Sequence, residues 1–195
     1  SSLREQRIKR IAVDNGWHYT REEQVELSEL LEFNFFQSRP LASKMNVIAG
    51  EFSNGVDWEI SDIVFDEGAM LSKEVYKTTV QLLHLPENIP AFVLEQEGIF
   101  DKLFDRVLGI TGHKDIVFAD YPHFSKKLKL TGENENDIKN LFSPSLISFF
   151  ESEEIYHVEC NGDALIIFKS LKISNTGGIK NMVRFSEDLV KHLKK

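Results

Sequence analysis

The sequence predicts an α+β domain in which amphipathic helices pack on one face of a mainly antiparallel sheet. Two observations carry this prediction. Several segments alternate apolar and polar residues and follow one another without a helical crossover, as antiparallel strands do. Asn-Gly pairs at 54–55 and 161–162 are strong signals for hairpin turns. We expect one domain over residues 1–195, with two lobes of about 1–110 and 111–195 as the alternative.

The first elements are predicted to be helical. Residues 3–15 place apolar side chains at near-helical spacing, and Gly16 follows as the residue that ends the helix. Thr20 and Glu23 have the spacing of a capping box, which predicts a second helix that ends near Phe33.

From Lys44 onward the pattern changes to the two-residue period of strands. Residues 45–49 and 56–65 flank the first Asn-Gly pair, and a register shift is predicted near residues 61–62. Strands over 75–85 and 91–95 follow, so these four segments predict an antiparallel meander.

The second half of the chain predicts strands and helices in alternation. The elements are, in order, a helix over 100–108, strands over 115–119 and 124–130, two helical segments over 138–150, strands over 155–160 and 163–169, and a last helix after 177–178. Ser143 is expected to cap the second segment of 138–150, with Pro144 at its first position. Phe104 and Phe142 lie in the middle of apolar stripes, so both are expected to be buried.

Charge is unevenly distributed along the chain. The net charge is −8, with +3 on residues 1–10, +5 on residues 169–195 and −16 on the residues between them. Because an acidic body repels phosphate backbones, nucleic acid is not an expected partner. Basic ends on an acidic body are what a domain lying against an anionic membrane shows, and solvated helix ends are the alternative explanation.

The sequence contains no recognisable catalytic or cofactor motif. It lacks a phosphate-binding loop and a nucleophile elbow, and its single cysteine, Cys160, excludes a disulfide framework. The residues His113, Asp115, Asp120 and His123 form a weak candidate metal site, because the two aspartates stand at opposite ends of a predicted strand. We therefore expect no cofactor and no metal, and the sequence identifies no catalytic residue.

Phenylalanine dominates the aromatic residues, with 15 Phe against four Tyr and two Trp. Surfaces that stack bases or bind proteins favour Tyr, Trp and Arg, whereas Phe at amphipathic positions is typical of a core. A cavity for an apolar ligand, lined by Phe between the sheet and the helices, is the alternative.

Six short motifs occur in order along residues 15–195. They are Asn15-Gly16-Trp17-His18-Tyr19, Asn46-Val47-Ile48-Ala49-Gly50, Thr78-Thr79-Val80-Gln81-Leu82, Ile89-Pro90-Ala91-Phe92-Val93-Leu94, Asp115-Ile116-Val117-Phe118 and His123-Phe124-Ser125. In this order the motifs resemble the soluble domain of a group of uncharacterised bacterial membrane-anchored proteins, a family of unknown function. The resemblance implies a bacterial source and a membrane anchor that precedes residue 1, and it brings no catalytic residues.

The resemblance also implies an orientation. The basic residues Arg4, Arg7, Lys9 and Arg10 would directly follow the anchor, and by the positive-inside rule they would face the membrane from its cytoplasmic side. Without an anchor, a cytoplasmic protein is expected.

These observations favour a non-enzymatic binding or interaction module near the cytoplasmic membrane surface, with the membrane or a membrane protein as its partner. A carrier or sensor of a small apolar ligand is the second hypothesis. An enzyme of unidentified class is the third.

Overall fold

The computed structural model describes residues 1–37, 39–66, 75–96 and 113–193. The strands in these ranges form one sheet in which neighbouring strands are antiparallel. They are β1 His18–Glu23, β2 Leu41–Glu51, β3 Asp57–Asp66, β4 Val75–His84, β5 Phe92–Gln96, β6 Lys114–Ile116, β7 Leu128–Gly132, β8 His157–Cys160 and β9 Ala164–Phe168. The order across the sheet is β1-β2-β3-β4-β9-β8-β5-β7-β6, so β1 and β6 form its edges.

The described residues also contain six α-helices and two 3₁₀ turns. The helices are α1 Leu3–Asn15, α2 Asn34–Gln37, α3 Pro122–Lys127, α4 Glu135–Leu141, α5 Pro144–Ser152 and α6 Thr176–His192. The 3₁₀ turns span Val25–Leu27 and Glu29–Glu32. Antiparallel strands combined with separate helices confirm the predicted α+β fold class.

The sheet buries apolar residues on both of its faces. Along β9, Leu165 and Ile167 point to one side, which we call the first face, and share a core with residues of α1, α5 and α6. Ile166 and Phe168 point to the other side, the second face, and share a separate core with residues of the segment 30–36. The longer described helices therefore pack on one face, as predicted, and a short irregular segment packs on the other.

The predicted helix from Thr20 to Phe33 is wrong. Residues 18–23 instead form the edge strand β1, which pairs with β2 from His18 opposite Ala49 to Glu23 opposite Lys44. A capping box is worth only about 1 kcal/mol, whereas pairing satisfies a row of backbone groups on the free side of β2. The rest of the segment forms the two 3₁₀ turns and α2.

The first Asn-Gly hairpin is confirmed, but the register shift lies on the opposite strand from the one predicted. β3 pairs with β4 without interruption, while β2 carries an extra residue where Met45 lies opposite Asp62 and Ile48 opposite Ile60. Asn46, inside this bulge, has a φ of 52°. Along β3 the apolar residues switch from even-numbered to odd-numbered positions. They do so because both faces of the sheet are buried, and not because the strand bends.

The predicted four-strand meander is wrong beyond β4. The neighbour of β4 is β9, and β5 lies between β8 and β7. All five residues of β9 are buried, which is typical of a central strand with both faces covered. Strands from before residue 97 and after residue 113 thus belong to one sheet.

The predicted strand over 124–130 is wrong in its first half. Pro122 occupies the first turn of α3, which continues through Lys127, and only then does β7 begin. The predicted helix over 100–108, with Phe104, lies outside the described residues.

Several local predictions are confirmed. Gly16 ends α1 with a φ of 69°, a left-handed conformation that glycine adopts without strain. The Ser143 side chain accepts a hydrogen bond from the Leu146 N–H at the start of α5. Phe142 is buried, and the second Asn-Gly turn joins β8 to β9. The last helix begins at Thr176, slightly before the predicted start.

Candidate functional site

The outward side of α1 combines exposed apolar and basic side chains. Residues such as Ile8 and Ala12 point inward and are buried against the first face. On a helical wheel the opposite side carries Leu3, Arg7, Arg10 and Val13, a set that we call the α1 face. Leu3 is 62% exposed and Val13 is 79% exposed. Exposed apolar residues therefore stand at both ends of a pair of arginines.

Arg4, one of the four basic residues predicted to face a membrane, is half-buried and paired with Asp62. Its Nε and Nη2 atoms each donate to the Asp62 carboxylate at 2.7 Å, and its Nη1 donates to the carbonyl oxygen of Ser174. Thr79 and Asn46 donate to the same carboxylate. Arg4 thus joins α1 to β3 and to the start of α6.

Lys9 is exposed but already has partners. Its Nζ lies 2.9 Å from the Glu5 carboxylate and 5.2 Å from the centre of the Tyr19 ring. The hydrogen bond from Lys9 holds the pKa of Glu5 below its ordinary value. Arg7 and Arg10 are exposed and make no hydrogen bond or ion pair with any described residue. Of the four predicted residues, these two are the ones available to an external partner.

The candidate metal ligands do not form a metal site in the described part of the chain. His113 is half-buried beside a cleft, Asp115 is exposed on β6, and Asp120 is exposed in the turn that follows. His123 is exposed on α3. No three His, Cys, Asp or Glu residues within the described ranges are placed so that they could hold a metal ion.

Cys160 is a buried thiol on the first face. Burial raises its pKa to about 12, and the Gly162 N–H donates to its sulfur. His157 stacks on Phe168 in the second face, so it is on the opposite side of the sheet, as the strand period predicts. Cys160 is therefore neither ionised nor beside that base.

A carboxylate that the sequence analysis missed fixes the segment on the second face. Glu159 accepts backbone hydrogen bonds from Asn34 at 2.7 Å and Phe35 at 3.0 Å, the first residues of α2. Arg39 donates to the Phe35 carbonyl oxygen, and its guanidinium lies 4.6 Å from the centre of the Phe35 ring. Burial raises the pKa of Glu159 to about 7, although the two N–H donors favour the charged form.

His157 lies two residues before Glu159 on the same side of β8. It is fully buried, its ring centre is 4.4 Å from that of Phe168, and its Nδ1 is 3.9 Å from a Glu95 oxygen. Burial lowers the pKa of His157 to about 3, so the ring is neutral at neutral pH. The sequence signal for this polar group is the His-x-Glu spacing within an otherwise apolar strand.

An open cleft lies where the β4–β5 loop, the β8–β9 turn, α4 and the C-terminal end of α6 meet. Its volume is about 1050 Å³, within or slightly above the range of small-molecule sites. Its polar lining residues include Asn88, His113, Glu133, Asp137, Asn140 and Asn161. None of the described lining residues is a Lys or an Arg.

A smaller pocket of about 210 Å³ adjoins the cleft, because Ile89 and Leu193 line both. Most of its lining is apolar and includes Val56, Leu85 and Val190. The cleft therefore adjoins a smaller pocket whose lining is mostly apolar.

The described phenylalanines pack with one another and do not line these two cavities. All of them except Phe118 are buried. Phe142, for example, contacts Phe92, Phe124 and Phe150 with ring centres 5.1–6.1 Å apart. No described phenylalanine lines the cleft or the pocket beside it.

No α-helix in the described ranges is both long enough and apolar enough to cross a membrane.

Comparison with known proteins shows the fold. No protein-family model matches the chain, and no curated protein does. The chain is similar to the crystal structure of the mycobacterial trehalose monomycolate transport factor A, with a TM-score of 0.63 and 15% sequence identity over 97% of this chain and 96% of that one. At this identity the likeness shows that the two chains share a fold.

Proposed function

We propose that this domain is a non-enzymatic binding module that docks on an anionic membrane surface through the α1 face. The observation that carries the proposal is the exposure of Leu3 and Val13 beside the unpaired Arg7 and Arg10. Interfacial helices bind membranes through apolar side chains that enter the headgroup boundary and basic side chains that attract anionic lipids. Each basic residue near such a surface contributes about 1 kcal/mol.

The charge distribution supports the same orientation. The chain between the two basic ends carries a net charge of −16, so an anionic surface would repel it. α1 and α6 both pack on the first face, and Arg4 links the first helix to the residue just before the second. A surface that attracts α1 would therefore approach the face of the sheet on which α6 also packs.

The family resemblance and the shared fold are compatible with this role. If the chain belongs with bacterial membrane-anchored proteins, the anchor would hold the α1 face near the cytoplasmic leaflet. The mycobacterial protein with this fold is named a transport factor, and a binding role for this chain fits that name.

The two other hypotheses have less support from the described residues. A carrier with a Phe-lined cavity requires phenylalanines at a cavity wall, and the described ones pack in the core. An enzyme requires a group of reactive side chains, and the one cysteine is buried with a raised pKa.

The proposal is tested by cosedimentation with phosphatidylserine vesicles. At about 10–20 mM salt, where charges are screened over roughly 20–30 Å, the wild-type domain should cosediment. At physiological salt, where screening acts over about 8 Å, binding should weaken severalfold. The double variant R7Q/R10Q should lose most of the binding at low salt, because it removes both unpaired cations from the α1 face.

The matched control is K114Q/K126Q, which removes the same charge from exposed lysines of β6 and α3 that make no ion pair with a described residue. It should retain most of the wild-type binding. If the wild type ignores the vesicles at low salt, or if the control loses as much binding as R7Q/R10Q, the α1 face is not the docking surface.

A further inference from the structure

We propose that two copies of this chain pair through the free edge of β1 and form a two-fold symmetric dimer with one continuous sheet. The pairing would be antiparallel and centred on Thr20. This surface is separate from the α1 face, and the inference does not depend on membrane docking.

The edge of β1 that faces away from β2 is accessible in the described part of the chain. β1 lies at the end of the sheet, and β2 is its one neighbour among the described strands. All six of its residues are exposed or half-buried. An edge strand presents a row of unpaired N–H and C=O groups, and a strand from another chain can pair with them.

Two-fold symmetry restricts how β1 can pair with its own copy. In an antiparallel pair, a two-fold axis perpendicular to the sheet passes between two directly opposite residues, so one residue must lie opposite its own copy. If Arg21, Glu22 or Glu23 were that residue, two like charges would lie directly opposite each other, which is destabilising.

Thr20 is the central residue that pairs the most of β1 without placing like charges opposite each other. It pairs five residues of the strand, 18–22, with their counterparts in the second copy. A centre at Tyr19 would pair three residues of the strand, 18–20, and a centre at His18 would pair one. The length of the strand and its charges therefore select the same register.

The opposite pairs in this register are complementary. His18 lies opposite the partner's Glu22, and an imidazole N–H can donate a hydrogen bond to a carboxylate. Arg21 lies opposite the partner's Tyr19, so its guanidinium can lie against that ring. The hydroxyl groups of the two Thr20 side chains can form a hydrogen bond across the axis.

The side chains that these pairs require are available. His18 and Glu22 are exposed and form no hydrogen bond or ion pair with a described residue. Glu23, by contrast, lies 2.9 Å from the Nζ of Lys44. Charged residues on an edge strand usually prevent pairing with unrelated strands. Because these charges complement one another about Thr20, they favour a second copy of the same strand as the partner.

The symmetry also fixes where the helices of the dimer lie. A two-fold axis perpendicular to the sheet keeps the first face of both copies on one side. Since α1 packs on the first face, both α1 helices would lie on the same side of the joined sheet.

The proposal is tested first with the wild-type domain alone, by sedimentation equilibrium from about 10 μM to about 1 mM. One pair of short strands makes a small interface, so the dimer should be weak and concentration-dependent. The average mass should rise toward twice that of one chain. In ¹⁵N–¹H spectra recorded over the same range, the amide signals of residues 18–22 should shift and those of β6 should not.

Two variants test the register. His18→Glu places a carboxylate opposite Glu22 in both symmetric pairs, so it should weaken the dimer about tenfold. Adding Glu22→Lys to His18→Glu restores opposite charges and should return most of the wild-type association. The control, His123→Glu, makes the same change at an exposed histidine of α3 and should leave association unchanged. All three positions are exposed, so circular dichroism should show the same fold for every variant.

Three results would each overturn the proposal. The wild type could stay monomeric at the highest concentration. His18→Glu could associate as well as His123→Glu, which would place any dimer contact elsewhere on the molecule. The double variant could associate as weakly as His18→Glu alone, which would exclude the register centred on Thr20.

Discussion

Glu159 and His157 make opposite contributions to the dependence of stability on pH. The pKa of Glu159 is raised to about 7, so between about 4.5 and 7 the folded protein holds a proton that the unfolded chain has lost. Stability therefore falls as pH rises through that window. The pKa of His157 is lowered to about 3, so between about 3 and 6.5 the unfolded chain holds the extra proton and stability rises with pH. From about pH 4.5 to 6.5 the two effects oppose each other.

Glu159→Gln should therefore expose the contribution of His157. In the variant, the free energy of unfolding should rise with pH between 4.5 and 6.5 more steeply than in the wild type. The two slopes should differ by up to about the effect of binding one proton. Urea unfolding at several pH values measures this slope. The control, Glu26→Gln, changes an exposed glutamate and should keep the wild-type slope. Equal slopes for Glu159→Gln and the wild type would contradict the shifted pKa of Glu159.

At the residue scale, the sequence predicts correctly those roles that depend only on neighbouring residues in the chain. Gly16 and Ser143 act within a few residues of their own helix ends, and the printed sequence shows those neighbours. Glu159 acts on residues 34–35, which are about 125 positions away, so its role depends on the folded sheet. The pairing of Arg4 with Asp62 cannot be predicted from the sequence for the same reason.

At the element scale, the Ser143 cap gives a direct prediction. Ser143→Ala should lower the free energy of unfolding by about 1 kcal/mol, because the Leu146 N–H loses its acceptor at the start of α5. Ser145 lies in the first turn of the same helix, is exposed and accepts no cap hydrogen bond. Ser145→Ala should therefore change stability by less than about 0.5 kcal/mol in the same denaturant titration. Equal losses for the two variants would show that the cap contributes nothing specific.

Two elements show how tertiary pairing overrides a local pattern. The capping-box spacing at Thr20 predicts a helix, yet the free edge of β2 recruits residues 18–23 as a strand. The apolar alternation after Phe124 predicts a strand, yet Pro122 favours the first turn of a helix and α3 forms there. In both places the local sequence pattern is present, but a competing interaction is stronger. That interaction is long-range strand pairing at β1 and the local effect of Pro122 at α3.

At the scale of the whole molecule, the strand order is the feature that sequence reasoning could not supply. Adjacent segments of the chain predict hairpins, but the placement of β9 beside β4 joins residues 80 to 86 positions apart. The cleft depends on that order, because its walls come from the β4–β5 loop, the β8–β9 turn, α4 and α6. No single stretch of sequence contains its pattern.

The most direct test of the account asks which side of the molecule meets the membrane. A thiol-reactive bimane fluorophore is attached at Val13→Cys on the α1 face or at Val117→Cys beside the edge strand β6. Val117 is 61% exposed, and β6 lies at the opposite edge of the sheet from β1, on the order of 40 Å away. Labelling is selective because Cys160 is buried and its pKa is about 12.

The emission of each labelled protein is recorded at low salt before and after phosphatidylserine vesicles are added. Because the α1 face enters the headgroup boundary, the emission of the label at Val13→Cys should shift to shorter wavelength, and that of the label at Val117→Cys should not shift. Equal shifts at the two positions, a shift at Val117→Cys alone, or no shift at either would contradict docking through the α1 face.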